Sequence, residues 1–229
     1  MKKLVSILVM VLCALSISAQ EKRKDITTFL GIPIDGYKSE MRKKLISKGF
    51  TSQSFDGKEF FEGEFNGFDV NVNIVTNNNK VYRIVLQDRI PQDEASIKVR
   101  FNKLVSQFEN NKRYYTPEDF TIPEDEDISF EMSVKNKQYT ASYYQIPNTE
   151  SLDALQNQVK QVMLSKYTEE QLKTPTKEIE EERDRIEEQL GIELFSKKPV
   201  WFCIHEFEGK YYISMYYDNE YNHANGEDL

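Results

Sequence analysis

The 229-residue chain holds only two cysteines, two histidines and one tryptophan, with nine glycines and seven prolines. Each scarcity closes a class of function. Cys13 lies within the expected N-terminal signal and Cys203 is alone in the remainder, so no internal disulfide supports the exported chain read below. The glycines are scattered, which leaves no phosphate-cradling loop. Positive charge is short as well. Thirty Lys and Arg face 38 Asp and Glu, a net charge of −8, which argues against nucleic acid or an anionic membrane surface as partner. Beyond the N-terminus no apolar run approaches the ~20 residues of a membrane helix. Aromatics, by contrast, are plentiful. Fourteen Phe and 13 Tyr with so little Gly and Pro indicate strands rather than disorder.

Residues 1–19 have the three parts of a secretory signal: Lys2 and Lys3, an apolar core from Leu4 to Leu12, and the small residues Ala14, Ser16, Ser18 and Ala19. Cleavage is expected after Ala19, with Ser18 as the alternative. Lipid anchoring at Cys13 is not expected, because bulky Leu12 precedes it. The expected product is an exported, free protein, periplasmic or extracellular, with no integral membrane segment after cleavage.

Past a polar lead-in, the spacing of Met41, Leu45 and Ile46 predicts a helix over 37–48, stopped at Gly49-Phe50. A meander follows: Phe60 to Phe65, a turn at Asn66-Gly67, Phe68 to Val75, a turn at Asn77-Asn78-Asn79, then Val81 to Leu86. Ile97, Phe101, Leu104, Val105 and Phe108 predict a helix over 94–110. Ile128, Phe130, Met132 and Val134 alternate with polar residues, which reads as a strand turning at Lys135-Asn136-Lys137 into Tyr139, Ala141 and Tyr143. A helix is expected over 151–166 with Ser151 as its cap, and a charged one near 175–190 opened by Thr174-Pro175. That charged helix has a narrow stripe of Ile179, Ile186 and Leu190 and reads as a surface arm or a helix awaiting a partner. The last hairpin pairs Val200 to Phe207 with Tyr211 to Tyr217 across Glu208-Gly209.

The expected fold class is α+β: antiparallel sheets built from hairpins, helices packed on one face, with two tandem helix-plus-sheet repeats as an option. The units are a signal at 1–19, a helix-plus-meander at 20–92, and a helix-plus-hairpins at 93–229, the last two able to form one continuous domain. The segment Gly36-Tyr37-Lys38-Ser39-Glu40-Met41, then Leu45 and Gly49-Phe50 before a meander, resembles one repeat of the β-lactamase-inhibitor-like fold and the SmpA/OmlA-type envelope lipoproteins. That resemblance implies helices preceding an antiparallel sheet, often twice, in an exported bacterial envelope protein. It carries fold and not function.

Chemistry is sparse. Cys203 and His205 share a strand face, but no third group or motif marks a nucleophile. The acidic run Glu124-Asp125-Glu126-Asp127 lacks the spacing and glycine of a calcium loop. No catalytic, cofactor or metal residue is therefore assigned. The aromatic residues remain: Trp201, Tyr212, Tyr216 and Tyr221 are the candidate binding residues, on or beside a strand face away from the core. The expected function is a non-enzymatic binding module for a protein or glycan partner. An envelope structural or assembly factor is the alternative, and a hydrolase stands behind both.

Overall fold

A computed structural model describes residues 24–223. The signal over 1–19, its cleavage points and Cys13 lie outside the described residues.

The described residues form an α+β fold. A small hairpin, β1 (Thr28–Phe29) and β2 (Ile32–Pro33), leads into α1 (Lys38–Ser47). Gly49 ends that helix at φ +96°, a conformation only glycine adopts without strain. Its N–H donates to Ile46 O, and that of Phe50 to Leu45 O, the paired bonds of a Schellman stop. Phe50 is thereby tipped into the core, where it rests on Gly63; a Cβ at Gly63 would lie 2.4 Å from the Phe50 ring.

Four strands follow as a meander: β3 (Thr51–Phe55), β4 (Lys58–Phe65), β5 (Phe68–Asn77) and β6 (Lys80–Asp88). Its turns are Asp56-Gly57, Asn66-Gly67 and Asn78-Asn79, each with both residues at positive φ, the twist that two-residue hairpins require. The chain continues through α2 (Glu94–Glu109), β7 (Tyr114–Tyr115), α3 (Ile128–Lys135) and β8 (Thr140–Gln145). Helices α4 (Thr149–Lys166), α5 (Glu169–Lys173) and α6 (Lys177–Phe195) intervene before β9 (Pro199–Phe207) and β10 (Lys210–Asp218).

Eight strands make one antiparallel sheet in the order β3-β4-β5-β6-β10-β9-β8-β7. The order is mirrored. The last strands of the two halves, β6 and β10, pair at the centre, so strands from 20–92 and from 93–229 share one sheet. One face carries Phe61, Val72, Ile84, Met215, Phe202 and Tyr143. They pack beneath Met41 and Leu45 of α1 and the Ile97, Phe101, Leu104 and Phe108 stripe of α2. At the rim of this core, Arg100 of α2 meets Asp88 of β6 at 3.3 Å, and the guanidinium lies 3.6 Å from the Phe68 ring centroid. Both side chains are sealed from water. Burial pushes the Asp88 carboxyl up and the Arg100 guanidinium down, each partly offset by the other's charge.

Three expectations need correction. Residues 128–134 are not a strand: they form α3, capped by Asp127, whose carboxylate accepts from Phe130 N, and closed by Asn136 in the left-handed region. The capping bonds decide, and the alternation of apolar residues is incidental: Ile128 is buried while Val134 is 60 % exposed. β8 pairs instead with β9 on one side and β7 on the other. Second, β3 is an edge strand additional to the predicted meander. Third, α4 is capped by Asn148 rather than Ser151, and the charged helix starts later and ends later than expected, with Thr176 at its N-cap position but making no side-chain capping bond.

The charged helix does have a partner. Ile179, Ile186 and Leu190 of α6 close on Leu155, Val159 and Met163 of α4, with Tyr167 and Leu172 at the hinge. This helical hairpin owns a small core separate from that of the sheet.

Candidate functional site

Strand alternation divides the β9–β10 ribbon. Val200, Phe202, Ile204, Ile213, Met215 and Tyr217 face the helices. Trp201, Cys203, His205, Tyr212, Ser214 and Tyr216 therefore point the other way, and register aligns them as Trp201↔Tyr216, Cys203↔Ser214 and His205↔Tyr212. The described helices bury their apolar stripes against the opposite face or against each other. Trp201, Tyr212 and Tyr216 are left half-buried.

The aromatic rows are tightly ordered. Trp201 and Tyr216 stack at 3.8 Å between centroids and 10° between planes. His205 and Tyr212 stack at 5.2 Å and 23°. Asp218 holds the end of the first row. It accepts from Trp201 Nε1 at 3.0 Å, and Arg83 on β6 grips it through Nε at 2.5 Å and Nη2 at 2.8 Å. The Arg83 guanidinium lies 5.2 Å from the Tyr216 centroid and 5.6 Å from that of Trp201, within cation–π range. The bonds to Asp218 raise the guanidinium pKa further, against the effect of its partial burial.

Cys203 and His205 do meet, at 3.2 Å between Sγ and Nε2. Their electrostatics run against nucleophilic chemistry. Burial pushes the thiol up to about 11, and burial also lowers the imidazole. Both groups are thus held in their neutral forms, the reverse of a thiolate–imidazolium pair. Cys203 is buried, and no carboxylate is found among the hydrogen-bond partners of His205 in the described residues. Among those residues no cluster of three His, Cys, Asp or Glu could hold a metal. The arrangement can recognise a surface by packing and hydrogen bonding; it presents no activated nucleophile.

Of the four predicted residues, the fold brings Trp201, Tyr212 and Tyr216 together and leaves Tyr221 out. Tyr221 lies beyond the end of β10, where Lys24 Nζ sits 5.0 Å from its ring, beside a cleft of about 340 Å³ reaching Leu155 and Leu190 of the helical hairpin. Arg83 and Asp218 were not foreseen. Their pairing depends on the register of β6 against β10, which no local pattern encodes. No helix among the described residues is long and apolar enough to cross a membrane.

No family model matches this chain, and no curated protein or solved structure is significantly similar to it.

Proposed function

We propose that this chain is a non-enzymatic binding module acting outside the cytoplasm, and that its working surface is the sheet face turned away from α1 and α2. The observation that carries this reading is the Trp201–Tyr216 stack, locked by Arg83 and Asp218 on a face that the described helices do not pack. Trp, Tyr and Arg are the residues most enriched where protein interfaces concentrate their binding energy. Holding the rings in place before binding removes part of the side-chain entropy cost. A protein partner fits better than a glycan. Trp201, Tyr216 and Arg83 together make the residue set that protein interfaces enrich. Export rests on the N-terminal pattern of residues 1–19.

The test is capture from the native envelope fraction with the processed chain as bait. Wild type is expected to retain a cross-linked protein partner that the Trp201→Ala/Tyr216→Ala double variant loses, with both baits folded by circular dichroism. Equal capture by the two would remove the sheet face from the account. A second reading, an envelope structural or assembly factor, draws on the helical hairpin, whose acidic outer surface projects from its own small core. It calls for a stable membrane-associated partner that deletion of α4–α6 releases.

A further inference from the structure

The helix-covered side of the sheet holds a second candidate site. A cleft of about 570 Å³ opens where the β1–β2 hairpin, the Asn66 turn, the end of α2 and the β7–β8 edge converge. We propose that this cleft binds a small organic anion, a carboxylate carried on an apolar, ring-sized body.

Charge is the first argument. The chain is net negative, yet the lining contains Lys112, Arg113 and Lys198 and no carboxylate. Asp25, just outside the lining, pairs with Lys198 at 2.7 Å and neutralises that one charge. Lys112 and Arg113 form no salt bridge among the described residues, and both are exposed at the rim. Their position just past the C-terminal end of α2 favours cations in its own right. That preference explains two surface charges but not the polar floor beneath them.

The floor is the second argument. Gln145 is buried, and both ends of its amide are used: Oε1 accepts from Thr28 N at 2.8 Å, and Nε2 donates to Thr28 O at 2.7 Å and to the Tyr114 hydroxyl at 3.3 Å. Tyr114 and the buried Tyr217 both line the cleft beside it. Lys198 is also buried and has three N–H groups. The described residues supply two acceptors, Asp25 Oδ1 at 2.7 Å and, more weakly, Ile146 O at 3.4 Å. One donor is left beside the cleft. Phe65, Phe108 and Leu30 complete an apolar wall. The volume falls in the range of ordinary small-molecule sites, about 300–1,000 Å³, and the lining is divided about evenly between polar and apolar surface, which suits a ligand with one charged end and one apolar end.

The experiment is calorimetric titration of the full processed chain with 2-naphthoate, its neutral carboxamide and the corresponding naphthylmethylammonium ion. Naphthoate is expected to bind at least about tenfold more tightly than the carboxamide, a difference of ~1.4 kcal/mol, and the cation not at all. Lys112→Gln/Arg113→Gln, both at exposed positions, is expected to weaken naphthoate about tenfold with the urea midpoint unchanged. Trp201→Ala, on the opposite face, is expected to leave the affinity as it was, which separates this site from the protein-binding surface. Equal affinity for acid and amide, no effect of the double substitution, loss of binding on Trp201→Ala, or no anion binding tighter than about 1 mM would each overturn the proposal.

Discussion

The two faces of the β9–β10 ribbon are made from alternate residues of the same 18 strand positions, yet they are held by different physics. On the helix side Phe202 is fully buried, with Phe101, Phe108 and Tyr143 within 5.0–6.0 Å centroid to centroid. There the stabilisation comes from apolar area removed from water. On the other side Trp201, Tyr216, Arg83 and Asp218 order one another through a stack, an ion pair and an indole hydrogen bond; Asp218 is buried, while the two rings and Arg83 stay partly in reach of solvent. The difference teaches that an aromatic-rich strand has two uses for its rings. One face seals a core; the other keeps a shaped surface ready.

Substitutions can break or sharpen that contrast. The largest effect is expected for Phe202→Ala, about 3–5 kcal/mol of unfolding free energy by urea titration, since a fully buried ring leaves a cavity among its neighbours. Asp88→Ala follows at about 3 kcal/mol, because the buried Arg100 then has no counter-ion. Replacing both by Leu and Met is expected to cost less than the single change. This pair also has a pH signature. The Asp88 carboxyl is raised by burial, so the folded chain keeps a proton that the unfolded chain has released. Its contribution is therefore most favourable below the unfolded carboxyl value of about 3.9 and is lost as pH rises through the folded value. The stability of wild type relative to Asp88→Asn should accordingly rise on acidification from neutral to about pH 4, as read from paired urea midpoints.

Across the sheet the expected effects shrink. Arg83→Met should cost about 1–2 kcal/mol, since Asp218 loses two charge-assisted bonds but keeps the indole, and Arg83 itself is partly screened by water. Trp201→Ala should cost about 1 kcal/mol, the worth of a cross-strand aromatic pair on a half-exposed face. A larger loss for Trp201 than for Phe202 would invert the comparison.

Much of this was legible in the sequence, for identifiable reasons. Asn66-Gly67 and Glu208-Gly209 state their turns outright, and alternation put Trp201 opposite Phe202 without any structure. Strand β3 was harder to see because Thr51–Phe55 has no apolar face: Phe55 is 77 % exposed. Its signal was the Asp56-Gly57 turn, which has the same chemistry as Asn66-Gly67. Residues 128–134 misled because period two arose by chance between a strong N-cap and a left-handed Asn. For the candidate site, three rings were readable from strand parity. Tyr221 was not, since parity ends with β10, and Arg83 with Asp218 depends on a bond spanning 135 positions.

Trp201 is the only tryptophan in the chain, so its fluorescence reports directly on the face in question. Acrylamide quenching of the processed, folded protein is expected to fall between that of free indole and that of a sealed core, and to drop when the captured partner is added. A Trp201 as protected in the free protein as a core ring, or one whose quenching the partner leaves unchanged, would contradict the claim that this face is the open working surface.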